Sequence, residues 1–297
     1  MTSVIWREIK MSKVYILYNP MAGNGTGETQ ARALGAKYAD KAIEYVNVAT
    51  INDYVSFLSS REENAKCILC GGDGTVTRFV REVYGKEFNR EIYYYASGSG
   101  NDFWTDLGKK KGDDPVVVND YLKNLPIVTI NGVDYPVLNG VGFGIDGYCC
   151  EEGDRQRAKS DKPVNYTSIA IKGLLFHYKT TNATVTVDGK KYEYKKVWLA
   201  PTMHGRYYGG GMMPTPSQMR NNEDGTISTL IFHGSGKLKT LMIFPSLFKG
   251  EHIKHTKHVA VMSGKEIKVE FDKPTALQID GETILGVTEY TMRGASL

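Results

Sequence analysis

Three short apolar runs in the first third of the chain each end in a glycine-rich polar turn. Residues 14–18 lead into Asn19-Pro20-Met21-Ala22-Gly23-Asn24-Gly25-Thr26-Gly27. Residues 67–70 lead into Gly71-Gly72-Asp73-Gly74-Thr75, and residues 92–95 into Ser97-Gly98-Ser99-Gly100-Asn101-Asp102-Phe103. After the middle turn, Val76, Phe79, Val80 and Val83 recur at helical spacing. The order strand, glycine turn, helix predicts an open parallel sheet with all three turns on the edge where ligands bind. Glycine lets the backbone approach a ligand, and N–H groups at a helix start favour phosphate. Asp73 inside such a turn repels phosphate unless a cation or a reacting hydroxyl lies between them. The pattern therefore points to a nucleotide site.

The chain changes character near residue 125. Before it, strands near 14–18, 42–48, 67–70 and 92–95 alternate with helices near 28–39, 53–60, 75–84 and 113–124, an α/β pattern. Beyond it, Asn131-Gly132 and Asp188-Gly189 lie between alternating segments and favour type I′ hairpins. Residues 266–271 alternate as a half-buried strand does. The expected architecture is an α/β nucleotide-binding domain over residues 1–125 and a mainly antiparallel β domain over residues 126–286, with a cleft between them. The chain has 297 residues and a net charge of +4. That length supports a sizeable core, and the mild charge permits contact with an anionic surface without indicating nucleic-acid binding. No apolar run is long enough to span a bilayer, and residues 1–10 lack the apolar stretch of a secretory leader, so a cytoplasmic location is expected.

These motifs, in this order, resemble the diacylglycerol kinase catalytic family, soluble bacterial lipid kinases related to sphingosine and ceramide kinases and more distantly to NAD kinases. Asn19-Pro20 with Gly23 matches the first signature, and Gly71-Gly72-Asp73-Gly74-Thr75 matches the second without change. The third appears as Ala96-Ser97-Gly98-Ser99-Gly100-Asn101-Asp102, with alanine for the usual proline and serine for threonine. Thr77 and Arg78 stand where the family often has Asn-Glu. Gly142-Phe143-Gly144-Ile145-Asp146, Tyr208-Gly209-Gly210-Gly211-Met212, Asp224-Gly225 and Asp280-Gly281-Glu282 follow in family order. The resemblance spans roughly residues 13–290. It implies a Rossmann-like, phosphofructokinase-like α/β domain followed by an antiparallel β-sandwich, with residues 287–297 returning to the first domain.

The resemblance also implies ATP and Mg²⁺. It assigns nucleotide contact to Asn19, Pro20, Gly23, Thr50, Gly71, Gly72, Asp73, Gly74, Thr75, Gly98, Ser99, Asn101 and Asp102. It places the proton acceptor in the late Asp-Gly-Glu motif, with Asp280 favoured, Glu282 close behind and Asp73 as an essential partner. Locally, Asp280-Gly281-Glu282 also reads as a hairpin turn; in extended backbone its two carboxylates face one side. A structural Mg²⁺ is expected at Asp224, with the carbonyls of Asn221 and Thr226, though a plain β-turn fits the same residues. Asp146 is either a substrate contact or a buried capping aspartate. The implied partner is a lipid such as diacylglycerol at a membrane surface, reached by transient peripheral contact; a homodimer is left open. A soluble-substrate kinase of NAD-kinase type and a catalytically decayed nucleotide- or lipid-binding protein are the competing readings.

Several other features read as structural. Cys67 and Cys70 have redox-pair spacing, but residues three apart on a strand face opposite sides. Cys149 and Cys150 are likewise expected to stay unpaired. His252, His255 and His258, interleaved with Lys254 and Lys257, form a basic strip suited to anionic lipid rather than a zinc site. Residues 174–176 and Leu241, Ile243, Phe244, Leu247 and Phe248 are either core or an acyl pocket.

Overall fold

The computed structural model describes residues 13–160 and 164–295. The reading of residues 1–10 lies outside them. The first domain is built on β1 (Lys13–Tyr18), β2 (Ala42–Asn47), β3 (Lys66–Gly71), β4 (Ile92–Ala96) and β5 (Val116–Val117), in the order β2-β1-β3-β4-β5. The first four strands pair in parallel, and β5 is antiparallel at the edge. The middles of β1 and β3 are buried without interruption. Strands covered on both faces need such unbroken apolar runs.

Its helical segments are α1 (Ala22–Gly25), α2 (Gly27–Gly35), α3 (Tyr54–Ser59), α4 (Asp73–Val83), α5 (Asp102–Asp106) and α6 (Asn119–Lys123). α1 is a single turn broken by left-handed Gly23 and Asn24. In α4, Val76, Phe79, Val80 and Val83 form the buried face, and Phe79 meets Tyr54 edge-on at 5.0 Å between ring centres. Asp53 caps α3 by accepting from the Ser56 N–H at 2.9 Å. The helix expected over 113–124 forms only at Asn119–Lys123, because Val116 and Val117 pair with Tyr94 and Tyr93 instead.

The second domain contains β6 (Ile127–Ile130), β7 (Val133–Pro136), β8 (Gly140–Gly144), β9 (Thr181–Val187), β10 (Lys190–Met203), β11 (Ile227–His233), β12 (Val259–Gly264), β13 (Glu266–Ile279) and β14 (Glu282–Arg293). Their order is β12-β11-β10-β8-β13-β14-β6-β7, with β9 also joining β10 to β13. Every pairing is antiparallel. The long strands β10 and β13 each pair with β9 along one half and β8 along the other, shifting register between the halves. Helices α7 (Ile145–Arg157), α8 (Tyr166–Lys172) and α9 (Lys237–Ile243) cover this sheet. Asn131-Gly132 and Asp188-Gly189 have positive φ throughout, as type I′ turns require.

Two outcomes differ from the sequence expectations. Residues 287–293 do not return to the first domain; they continue β14, paired with β13 and β6. Asp280 and Glu282 do not share a side. Ile279 pairs with Glu282 across a two-residue turn, and Asp280 and Gly281 have φ of 49° and 88°. The backbone reverses there, so extended-strand spacing does not apply.

Candidate active site

Because β1, β3 and β4 are neighbours in a parallel sheet, the three glycine turns meet at one edge. Asn19 Nδ2 donates to Thr75 Oγ1 at 3.1 Å, and Gln30 Nε2 donates to the Ser97 carbonyl at 3.2 Å. A Cβ on Gly98 would lie 2.4 Å from the Gly72 Cα, so glycine is required where those backbones touch. At Gly74, by contrast, a Cβ meets nothing within 4 Å and projects into open space beside the turns. Asn101 closes its own turn, accepting from the Gly98 N–H and donating to the Gly98 carbonyl, both at 2.9 Å. Thr50 lies outside this convergence, after edge strand β2, with its hydroxyl donated to the Asn47 carbonyl at 2.8 Å.

Carboxylates tie the turns together. The N–H groups of Asp102 and Phe103 donate to Asp73 at 2.9 Å each. The aspartate that looks misplaced in an anion cradle therefore caps the next turn's helix. Asp102 in turn accepts from the N–H groups of Gly210 and Gly211 at 2.8 and 2.7 Å. That glycine turn belongs to the second domain, and Gly209, Gly210 and Gly211 all have positive φ. Burial, then the charge of Asp73, pushes the Asp102 carboxyl up to about 7, opposed by the two glycine amides.

The motif residues at the β13–β14 turn divide their roles. Asp280 accepts from the N–H groups of Leu138, Asn139 and Gly140 at 2.8, 2.7 and 3.0 Å. It clamps the strand entering β8, and burial raises its carboxyl against the pull of those amides. This occupied aspartate is a poor general base, a correction to the sequence preference. Glu282 has a side chain 56 % exposed and forms an ion pair with Arg81 of α4.

Sequence reasoning missed a charged cluster beside Asp280. Asp106, one turn after Asp102 on α5, receives Arg206 Nε at 3.0 Å and Arg220 Nε at 2.9 Å. Arg220 also donates to the Leu138 carbonyl and to Asn139 Oδ1, and stacks on Phe103 at 4.9 Å. His204 lies between the Arg220 and Leu138 carbonyls. Burial and the Arg220 charge hold its ring neutral, pulled down to about 3. The only local signal was the four-residue spacing of Asp102 and Asp106, which puts both on one helix face.

The remaining predicted residues lie apart from the turns. Asp146 is buried at the start of α7, accepting from the Gly147 N–H at 2.8 Å and facing the Tyr208 hydroxyl at 3.5 Å. Burial raises it to about 6. Asp224 accepts from the Thr226 N–H and hydroxyl at 3.3 and 3.0 Å. The Thr226 carbonyl already takes Asn222 Nδ2 and Gln218 Nε2 at 2.8 and 3.0 Å, which fills both its lone pairs. This set does not fit the expected Mg²⁺ and forms the plain turn instead. Among the described residues no group of three His, Cys, Asp or Glu side chains is placed to hold a metal. His252 is turned inward, its Nε2 2.8 Å from the Pro214 carbonyl. All four cysteines are unpaired. Cys67 and Cys70 fall in different cores on opposite sheet faces, whereas Cys149 and Cys150 lie on helix α7.

Residues 13–127 match the diacylglycerol kinase catalytic domain, and residues 139–292 match the YegS C-terminal NAD kinase beta sandwich-like domain. A Mycobacterium tuberculosis protein named diacylglycerol kinase is 23% identical over 275 residues, which cover 89% of this chain and 87% of that one. The crystal structure of a diacylglycerol kinase from Bacillus anthracis superposes with a TM-score of 0.57 at 19% identity, covering 96% and 95% of the two chains. Another Bacillus anthracis structure gives 0.63 at 20% identity, covering 98% and 95%. The likeness to these structures establishes the fold.

Proposed function

Since the chain belongs to the diacylglycerol kinase catalytic family, with its NAD kinase-like β-sandwich, we propose that it transfers the γ-phosphate of ATP to a hydroxyl of a lipid such as diacylglycerol. The observation that carries this reading is the meeting of three glycine turns with the Asp73–Asp102 pair, whose far side is bound by Gly210 and Gly211 of the second domain. A nucleotide held on the turns thereby faces the β domain, where the acceptor enters.

Phosphoryl transfer demands a held triphosphate, neutralised charge and an aligned hydroxyl. Backbone N–H groups of the turns hold the phosphates, with space kept open at Gly74. Mg²⁺ bound with the triphosphate supplies charge neutralisation. Asp73 and Asp102 fit such an ion: they are close enough for the charge of one to raise the other, and each carboxylate oxygen retains lone-pair capacity after its amide bond. Glu282 is the motif carboxylate with an accessible side chain, paired with Arg81, and takes the acceptor proton. Asp280 positions the strand that leads into this turn.

The test is label transfer from γ-radiolabelled ATP with Mg²⁺ to a total lipid extract, with the product identified by mass. A labelled phospholipid supports the proposal. Labelling of NAD alone, or of nothing, overturns it. Glu282→Gln then tests the base: it should lose about 10²-fold or more in kcat with nucleotide affinity retained.

A further inference from the structure

We propose that α8, α9 and the turns that follow each helix form a docking face for an anionic lipid bilayer, set beside the active site. The face comprises α8, the π-helical turn Gly173–His177, α9, and the 3₁₀ turns Phe244–Lys249 and Glu251–Lys254. Its inner side is ordinary core: Ile169, Leu174, Ile243 and Leu247 are buried. Its outer side should then be polar. Instead Phe176, Leu238 and Met242 are 71%, 74% and 74% exposed, and Ile171, Phe248 and Ile253 are also exposed. Leu238 and Met242 are four residues apart and share one face of α9. Lys237 Nζ donates to the Leu175 carbonyl at 2.7 Å, joining α9 to the turn that carries Phe176.

Charge identifies the occupant. The whole chain is nearly balanced, with 37 Lys and Arg against 33 Asp and Glu. Residues 166–179 and 237–258 together hold seven lysines, Lys172, Lys179, Lys237, Lys239, Lys249, Lys254 and Lys257, against the single acidic Glu251. Apolar side chains projecting from helices ringed by lysine match an anionic interface, where chains insert and ammonium groups meet phosphates. A protein partner of ordinary composition would not call for this one-sided charge.

The face is also continuous with the site. The Phe248 ring lies 3.9 Å from where a Cβ on Gly211 would stand, and the Met213 N–H donates to the Leu247 carbonyl at 2.9 Å. Gly211 itself donates to Asp102. One glycine turn separates the docked bilayer from the carboxylate pair, so an acceptor headgroup reaches the phosphates while its acyl chains stay in the membrane. This delivery step rests on the lipid-kinase reading; the membrane contact does not.

The test is co-sedimentation with vesicles of phosphatidylglycerol and phosphatidylcholine, and with phosphatidylcholine alone. Wild type should bind the anionic vesicles and lose binding in about 0.5 M salt. Leu238→Asp/Met242→Asp and Phe176→Asp should each weaken partitioning by about 10-fold or more. Lys239→Glu/Lys249→Glu should weaken it on anionic vesicles. These side chains are exposed, so melting by circular dichroism should be unchanged, as should turnover of a dispersed short-chain diacylglycerol. Wild-type affinity in the apolar variants overturns the proposal. So does equal binding to both vesicle types, or a variant that breaks up a wild-type dimer in sedimentation velocity while keeping vesicle binding, which assigns the face to a second copy. Vesicle binding through this face by a protein that phosphorylates no lipid leaves the docking face standing and removes the kinase reading.

Discussion

Asp280 and Glu282 stand two residues apart and do opposite work, because a hairpin turn lies between them. Asp280 accepts three backbone N–H groups. Asp280→Asn would set an amide NH₂ or a single carbonyl against those donors, and leaving buried donors unpaired costs about 1–3 kcal/mol. The expected result is a lower melting temperature that accounts for most of the lost activity. Glu282→Gln removes one member of an exposed pair worth about 0–1 kcal/mol. Its expected result is unchanged melting with a large fall in kcat. An Asp280→Asn protein with wild-type stability and no turnover would restore Asp280 as the base. Asp102 gives a prediction in pH. Its folded carboxyl titrates near 7, well above the unfolded value of 3.8. Between those values the folded protein holds about one more proton than the unfolded chain. That contribution to stability is full below the unfolded value and is lost as pH rises towards 7. His204, held down to about 3, acts in the opposite sense and loses stability as pH falls below 6.5. Asp102→Asn should therefore make the slope of unfolding free energy between pH 4.5 and 6.5 more positive, by up to about 1.4 kcal/mol per pH unit. Denaturant melts across that range measure it; an unchanged slope would show Asp102 ionised throughout.

Among the elements, the glycine turns divide by what surrounds each glycine. Gly74 faces open space, so Gly74→Val should fold and melt within about 1 kcal/mol of wild type while losing nucleotide. Gly98 touches the Gly72 backbone, so Gly98→Ala should lose nucleotide and stability together. Fluorescent-nucleotide titration alongside thermal melting separates the two; tight binding by Gly74→Val would take that turn out of the site. The turns and strands β1 and β3 were legible in the sequence because doubly buried strands leave unbroken apolar runs and close backbone approach demands glycine. The hairpins at Asn131-Gly132 and Asp188-Gly189 were legible from the φ that type I′ turns impose. Helix α7 was not. Its buried residues are Ile145, Asp146, Gly147 and Gly153, all but the first small or polar, and a Cβ on Gly147 would lie 2.1 Å from the Ala276 carbonyl. A helix that packs by backbone proximity carries no apolar stripe to read. The outer residues of α8 and α9 were hidden for the converse reason. Both faces are apolar, so the sequence left residues 174–176, Leu241, Ile243, Phe244, Leu247 and Phe248 as either core or acyl pocket; Leu174 and Leu247 are core, whereas Phe176, Leu238 and Met242 are outside. Arg220, His204 and Asp106 left no motif, since Arg220 meets Asp106 across 114 residues and Asn139 across 81.

At the scale of the whole molecule, two domains with their own cores meet at a cleft crossed by polar contacts and by Leu138, which packs in the α/β core. The α/β domain has its cores on either face of the parallel sheet, and the β domain has its own cores within the sheet and beneath its helices. Between them run the Asp102 bonds to Gly210 and Gly211, the Arg81–Glu282 pair, and Asp106 held by Arg206 and Arg220. Interfaces this polar ordinarily permit relative motion. The Asp106–Arg220 pair is deeply buried: its side chains are 3% and 5% exposed. Removing one member of a buried pair strands the other charge, at a cost of about 3–5 kcal/mol. Asp106→Ala leaves Arg220 without its carboxylate and frees Arg206 as well, so it should lower stability by that order. Because both arginines belong to the β domain, the loss falls on the junction rather than on either core. Calorimetry should therefore show one unfolding transition in the wild type resolving into two in Asp106→Ala. Replacing the pair together, as Asp106→Leu/Arg220→Met, leaves no stranded charge and should recover part of the stability. If Asp106→Ala still melts in one transition at the wild-type temperature, the two domains are coupled through the glycine turns and not through this pair.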